Sequence, residues 1–381
     1  MARSRLSSLA PLAAVLTLAC AQPPDGAVAT GEDALHGGRP PRAPTVTAQA
    51  SGTTNGLIAV SAVNDRVAWA AGRGGTYAVT TDGGEHWRAG VVPGAEALQF
   101  RDVEAVSART AYLLSIGTGT DSRVYRTDDG GATWAVKAQN ADPDGFWDCF
   151  AFWDRERGVL MADSVNGRLP VMLTRDGDTW KDIGDRLPAA LPGEFAFASS
   201  GTCAATQGHR NAWLVTGGVD PARVLRTRDG GQHWTAHATP MPPTASGGNF
   251  SVAFRDARHG AVGGGDLDPA AAVPNAFATT RDGGEHWTLR SPAPFDGAIF
   301  GIAYATGDRR GDGDDEDGDD DGGPYARTVV ATGPGGTAWS TDEGTTWQAI
   351  PDVTGCWAAT FSSPRAGWLA CTGGRIFKVS F

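Results

Sequence analysis

Six copies of one short pattern, Ser/Thr-x-Asp-x-Gly-x-x-Trp, run through the chain and narrow its possible folds more than any other feature. The first spans Thr80 to Trp87, and others span Thr127 to Trp134, Thr227 to Trp234, Thr280 to Trp287 and Ser340 to Trp347. A damaged copy, Thr174 to Trp180, is one residue short and carries Asp178 where glycine is expected. The box aspartates are Asp82, Asp129, Asp176, Asp229, Asp282 and Asp342, stepping by 47, 47, 53, 53 and 60 residues. The box tryptophans are Trp87, Trp134, Trp180, Trp234, Trp287 and Trp347. Strand-like content at a period of roughly 40–55 residues reads as one propeller blade per repeat.

The segments between boxes agree with this reading. Each unit opens with a short apolar run, turns, and continues into a second run, as in Leu57 to Val60, the turn Asn64 to Arg66, then Val67 to Ala70. A glycine-rich turn and a third strand ending in the box follow, as in Thr76 to Thr80. Gly, Asp and Asn between short strands are hairpin chemistry, because these residues accept positive φ. The last segment, Cys356 to Phe361, Gly367 to Cys371 and Arg375 to Phe381, supplies only three strands of a seventh unit. Its missing outer strand is expected from Pro44 to Ser51, which would close the ring and remove a free sheet edge. The expectation is an all-β chain: a single seven-bladed β-propeller over 44–381, with the N-terminal strand closing the last blade.

The N-terminus reads as an export segment over 1–20, with Arg3 and Arg5 ahead of an apolar stretch from Leu9 to Ala19. Leu16 to Cys20 resembles a bacterial lipoprotein signal with Cys20 as the lipid-bearing residue, although Thr17 stands where an aliphatic residue is usual. Ala19-Cys20-Ala21 also reads as a small-x-small site for ordinary cleavage before Gln22. Residues 21–43, rich in Pro, Gly and Ala, read as a flexible linker. The expected location is the periplasm, free or as a membrane-anchored lipoprotein.

An oxidising compartment favours disulfides among the remaining cysteines. Cys356 and Cys371 flank a hairpin centred on Ser363-Pro364 and should face each other as a disulfide. Cys149 and Cys203 occupy equivalent places on adjacent inner strands, so either a bridge or two small buried side chains fits. The net charge of −11 comes mostly from a run of eight carboxylates between Asp312 and Asp321, within an acidic insertion at 307–324. Its Asp317-x-Asp319-x-Asp321-Gly322 matches half a calcium loop, but Thr328 stands where the bidentate Glu belongs, so no metal is read there. No cofactor motif and no nucleic-acid signature are present, and none of either is expected. His86, His233 and His286 sit inside boxes at turn tips and read as solvated.

The boxes resemble the Asp-box, or BNR, repeat of sialidases, sortilin-type receptors, xyloglucan hydrolases and the photosystem II assembly/stability factor propellers. Box spacing, a single propeller and the export segment look most like exported bacterial relatives of the last group. The resemblance covers residues 51–381 and implies the fold; it carries no one activity. A sialidase would need an arginine in a Phe/Tyr-Arg-Ile-Pro motif before the first box, which is absent. One face should gather acids near the axis and basic and aromatic residues outside them. The candidate binding set is Arg101, Asp102, Arg123, Phe146, Trp147, Asp148, Glu194, Arg223 and Arg375. It suits a protein partner in the cell envelope and a non-catalytic assembly scaffold. The alternative is a glycoside hydrolase-like enzyme drawing two carboxylates from Asp102, Glu104, Asp148 and Glu194.

Overall fold

The computed structural model describes residues 42–268, 273–306 and 325–381. The export segment with Cys20, nearly all of the 21–43 linker and the acidic insertion at 307–324 lie outside the described residues. Seven four-stranded antiparallel sheets stand around one axis, each a blade running from an inner to an outer strand. Blade 1 is Leu57–Ala62, Ala68–Gly72, Thr76–Thr80 and Trp87–Val91. Blades 2 to 6 begin on inner strands Gln99–Ala105, Trp147–Phe152, Ala204–Gln207, Gly247–Phe254 and Gly301–Tyr304. Blade 7 runs inward-out through Cys356–Ser363, Ala366–Cys371 and Arg375–Ser380, and its fourth strand is Thr45–Ala50. That strand pairs antiparallel from Thr45 opposite Ser380 to Ala50 opposite Arg375, so both ends of the domain are held in one sheet. Helix among the described residues amounts to single 3-10 turns such as Gly119–Asp121.

Inner strands of neighbouring blades converge on the axis without forming a ladder, so their backbone groups need other partners. Small polar side chains supply them. Ser61 accepts the Ala105 N–H at 3.1 Å, Asp102 the Phe150 N–H at 2.8 Å, Ser251 the Ile302 N–H at 3.0 Å and Thr360 the Ala62 N–H at 3.3 Å. The Thr206 hydroxyl donates to the Phe152 carbonyl at 2.7 Å. These contacts form a girdle from blade to blade. One disulfide reinforces it, Cys149–Cys203 joining blade 3 to the segment entering blade 4; a second, Cys356–Cys371, ties the first two strands within blade 7.

The boxes are turn locks. In blade 1, Thr80 Oγ1 receives the Gly84 N–H at 2.9 Å while Asp82 receives the His86 N–H at 2.9 Å and the His86 ring at 2.8 Å. The His86 backbone and ring bonds hold the Asp82 carboxyl well below the usual range. Hydrogen bonds from the Thr133 side chain and backbone hold Asp129 near 2. His86, His233 and His286 are exposed, and each rests on its own box aspartate.

The box tryptophans do more than pack beneath their own hairpins. Trp134 of blade 2 lies 5.1 Å from the Tyr77 ring of blade 1, and Trp347 of blade 6 lies 5.0 Å from Phe277 of blade 5. Trp87 donates to Gln49 of the closing strand at 2.9 Å. Trp87 and Trp234 are buried and the other four half-buried; Trp180 and Trp287 meet rings of their own blades, Phe152 and Phe254.

Candidate binding face

The face where inner strands begin is shaped by a repeated irregularity. In five blades the inner strand skips one residue in its pairing: Ile58, Arg101, Asp148, Phe250 and Trp357. A bulge re-aims the skipped side chain. Here it gives the mouth of the channel a separate set of residues.

Four of the rings and one cation close a circle over the axis. Phe197 stacks 4.0 Å from Phe250, Phe250 lies 5.7 Å from Phe300, and Phe300 lies 5.0 Å from Trp357. The Arg101 guanidinium sits 5.1 Å over the Trp357 ring and reaches across to the carbonyls of Ala198 and Ser199, at 3.2 and 3.4 Å. Phe195 extends the arc outward, 4.8 Å from Phe197. Burial, and secondarily the nearby Arg73 charge, lowers Arg101 to about 10, which leaves it cationic at neutral pH. Beneath this cap the channel encloses only about 120 Å³, lined by Asp102, Glu104, Tyr304 and Thr360 among others.

Blade 4 is entered through a segment that is not a strand. Residues 196–203 bend across the mouth, and the inner strand starts only at Ala204. Three devices hold this segment. Glu194 accepts both the Nε (2.8 Å) and a terminal nitrogen of Arg223, the Thr216 hydroxyl at 2.7 Å and the Leu191 N–H at 2.8 Å. Asp163 accepts the Ala196 N–H at 3.0 Å and is hydrogen-bonded to the carboxyl of Asp148. Gly201, with φ +75°, passes so close to Asp102 that a Cβ there would meet its Oδ1 at 2.4 Å.

The Asp148–Asp163 pair shares protons. Burial, reinforced by the Asp163 charge, pushes Asp148 well above the usual carboxylate range, and burial pushes Asp163 up to about 6. Two carboxylates this close cannot both ionise cheaply. Asp163 carried no sequence signal beyond its place one residue past the second strand of blade 3, Gly158–Ala162.

The sequence-selected residues therefore divide into two groups. Arg101, Arg123, Phe146 and Arg375 reach the surface of this face. Arg123 and Arg375 open the third strands of blades 2 and 7, as Arg223 does in blade 4. Arg123 donates to the Thr120 carbonyl at 2.6 Å, and Arg375 to those of Thr354 and Thr372 at 2.6 and 3.1 Å. Such carbonyl contacts aim a guanidinium and leave its charge uncompensated. Asp102, Trp147, Asp148, Glu194 and Arg223 are buried, which corrects their placement as contact residues. Trp147 packs among Tyr112, Leu114 and Val124, and the four charged groups are enclosed by the partners named above. These five hold the face together from below.

The proposed carboxylate pair for hydrolysis meets the same objection. Asp148 and Glu194 are each 1 % exposed. Asp102 already accepts the N–H groups of Val103 and Phe150. Glu104 is buried in the channel wall below the Arg101 cap.

No protein-family model matches the chain, and no curated protein matches it. Among solved structures, YCF48 from Cyanidioschyzon merolae superposes with a TM-score of 0.60 at 17 % identity, covering 88 % of this chain and 98 % of that one. A structure of YCF48 bound to D1 peptide gives 0.57 at 17 % identity, over 88 % and 97 % of the two chains. The WD40 propeller domain of Doa1 gives 0.54 at 13 % identity, over 87 % and 97 %. An ancestral GH74 enzyme gives 0.56 at 13 % identity, but this chain spans only 45 % of it. These likenesses establish the seven-bladed propeller fold.

Proposed function

We propose that the chain is an exported, non-catalytic propeller that binds a peptide segment of a partner protein on its channel-mouth face in the bacterial envelope. One observation carries the reading: the mouth is sealed by Arg101 and an aromatic arc, with the acids engaged beneath it and two arginines exposed beside it. A mouth at which Phe195 and Trp357 stay half-exposed beside Arg123 and Arg375 suits an extended chain bearing carboxylates, since guanidinium groups pair with carboxylates at fixed geometry. Aromatic and arginine side chains are also those that dominate protein interfaces. YCF48, a propeller of nearly the same extent, has been solved with a D1 peptide bound, which supports a peptide ligand here. The export segment supports the envelope location, with Cys20 as a lipid anchor.

The glycoside hydrolase alternative lacks a cleft. Small-molecule sites occupy roughly 300–1,000 Å³, against about 120 Å³ below the cap. The test is a phage-displayed peptide selection on the purified domain, run beside a screen of glycoside substrates. The reading expects enriched peptides carrying carboxylates and no turnover. Glycoside turnover abolished by Asp148→Asn would overturn it.

A further inference from the structure

The damaged third box makes its turn one residue early. Thr174 Oγ1 receives the Gly177 N–H three residues on, whereas Thr127 receives the Gly131 N–H four residues on. Flanking this turn are two cavities of about 350 and 330 Å³ that share Leu173 and Arg175. One runs against blade 4, reaching His209, Arg210 and the box turn at Asp229. The other crosses the outer half of blade 3 to Lys181 and Arg186. Both open on the box face, opposite the channel mouth.

Charge in this cleft is unevenly compensated. Asp176 accepts the N–H groups of Asp178 and Thr179 at 2.9 and 2.7 Å, and Asp229 those of Gln232 and His233 at 2.9 and 3.0 Å. Asp182 is taken by Arg168 at 2.6 Å, and Arg157 by Asp154 at 2.6 Å. Arg186 donates to the Gly231 carbonyl at 3.1 Å. Arg175, Lys181 and Arg210 make no ion pair and no side-chain hydrogen bond among the described residues. The cavity against blade 4 therefore carries Arg175 and Arg210 beside buried Leu173 and Trp153 and the Asp229 carboxylate, and the outer cavity carries Arg175 and Lys181 beside buried Leu173 and Ile183 and the Asp176 carboxylate. Like charges held together over a low-dielectric floor gain most from an anion that several of them can reach at once.

We propose that this cleft is a binding site for a multivalent oxyanion of small-molecule size, a phosphate ester or a polycarboxylate. The volumes lie at the small end of ligand sites, which suits a compact anion better than a polymer. Arg175 and Arg210 line the cavity at the blade 3–4 seam, and Arg175 with Lys181 lines the one on the outer half of blade 3. The site is independent of the mouth face and of any partner bound there.

The test is calorimetric titration of the purified protein with pyrophosphate and, in parallel, with citrate. The expected result is saturable, salt-sensitive binding of at least one of them. The paired substitution Arg175→Ala with Arg210→Ala should weaken it by roughly tenfold or more. Arg109→Ala, at the equivalent turn of blade 2, should leave it unchanged. Restoring the missing residue by inserting glycine after Gly177 provides a second variant, expected to weaken binding with the arginines intact. The tighter of the two probes assigns phosphate or carboxylate. Absence of binding by both, or binding indifferent to the Arg175 and Arg210 pair, overturns the proposal.

Discussion

Asp148 and Asp163 hold their carboxyl groups in one hydrogen bond at the seam between blades 3 and 4, and Asp163 passes that constraint to Ala196 through a second bond of 3.0 Å. The groups acting on the pair, besides burial, are the backbone N–H groups of Ala198 and Ala196. Because the folded-state pKa of Asp163 lies near 6, above the 3.8 of a free aspartate, its contribution to stability is full below 3.8. It is lost as pH rises through about 6. Asp163→Asn removes this loss and supplies a permanent donor. Melting curves from pH 4 to 8 should show the variant gaining on the wild type as pH rises. A constant difference across that range would contradict the shared-proton assignment.

The Glu194–Arg223 clamp gives a sharper stability prediction. Removing one member of a buried pair leaves an uncompensated charge, at a cost of about 3–5 kcal/mol. Arg223→Ala should lower stability by that order in urea unfolding. The paired substitution Glu194→Leu with Arg223→Met should recover most of the loss, because no orphaned charge remains.

Gly201 tests the close passage over Asp102. An alanine there must adopt positive φ and displace the Asp102 carboxylate, so Gly201→Ala should cost about 1–3 kcal/mol. Gly208, also at positive φ but with open space where a Cβ would go, should tolerate alanine with a smaller loss.

The disulfides differ in the length of chain they close, 54 residues for Cys149–Cys203 and 15 for Cys356–Cys371. Loop-closure entropy then predicts that losing the first costs about 4 kcal/mol and losing the second about 3 kcal/mol. Paired Cys→Ala variants compared by denaturant unfolding check the order; a larger loss for the short loop would contradict it.

The ring and its closure were legible because a repeat period and a three-stranded final unit are carried by local sequence. Turn chemistry marked every box, and register within the last hairpin set Cys356 opposite Cys371. The mouth was less legible for two reasons. A bulge is an offset between two strands, so nothing in the string around Arg101 or Trp357 announces that pairing skips them. Partners such as Glu194 and Arg223 are 29 residues apart and meet through a segment that is not a strand, so neither the burial nor the pairing follows from spacing. Asp148 and Glu194 therefore read as contact residues in the sequence, whereas their burial leaves them no contact surface.

The most direct measurement of the central claim is the affinity of a selected carboxylate-bearing peptide for the wild type and for the Arg123→Glu, Arg375→Glu double variant, by calorimetry at fixed ionic strength. Both arginines are held by loop carbonyls, Arg123 also by the Tyr125 hydroxyl and Arg375 by that of Thr372 and by the Phe377 ring 5.7 Å away, with no ion pair among the described residues, so the double variant should keep the wild-type melting temperature within a few degrees. The mouth-face account predicts binding weakened by roughly a hundredfold. Undiminished affinity in a folded double variant would contradict it.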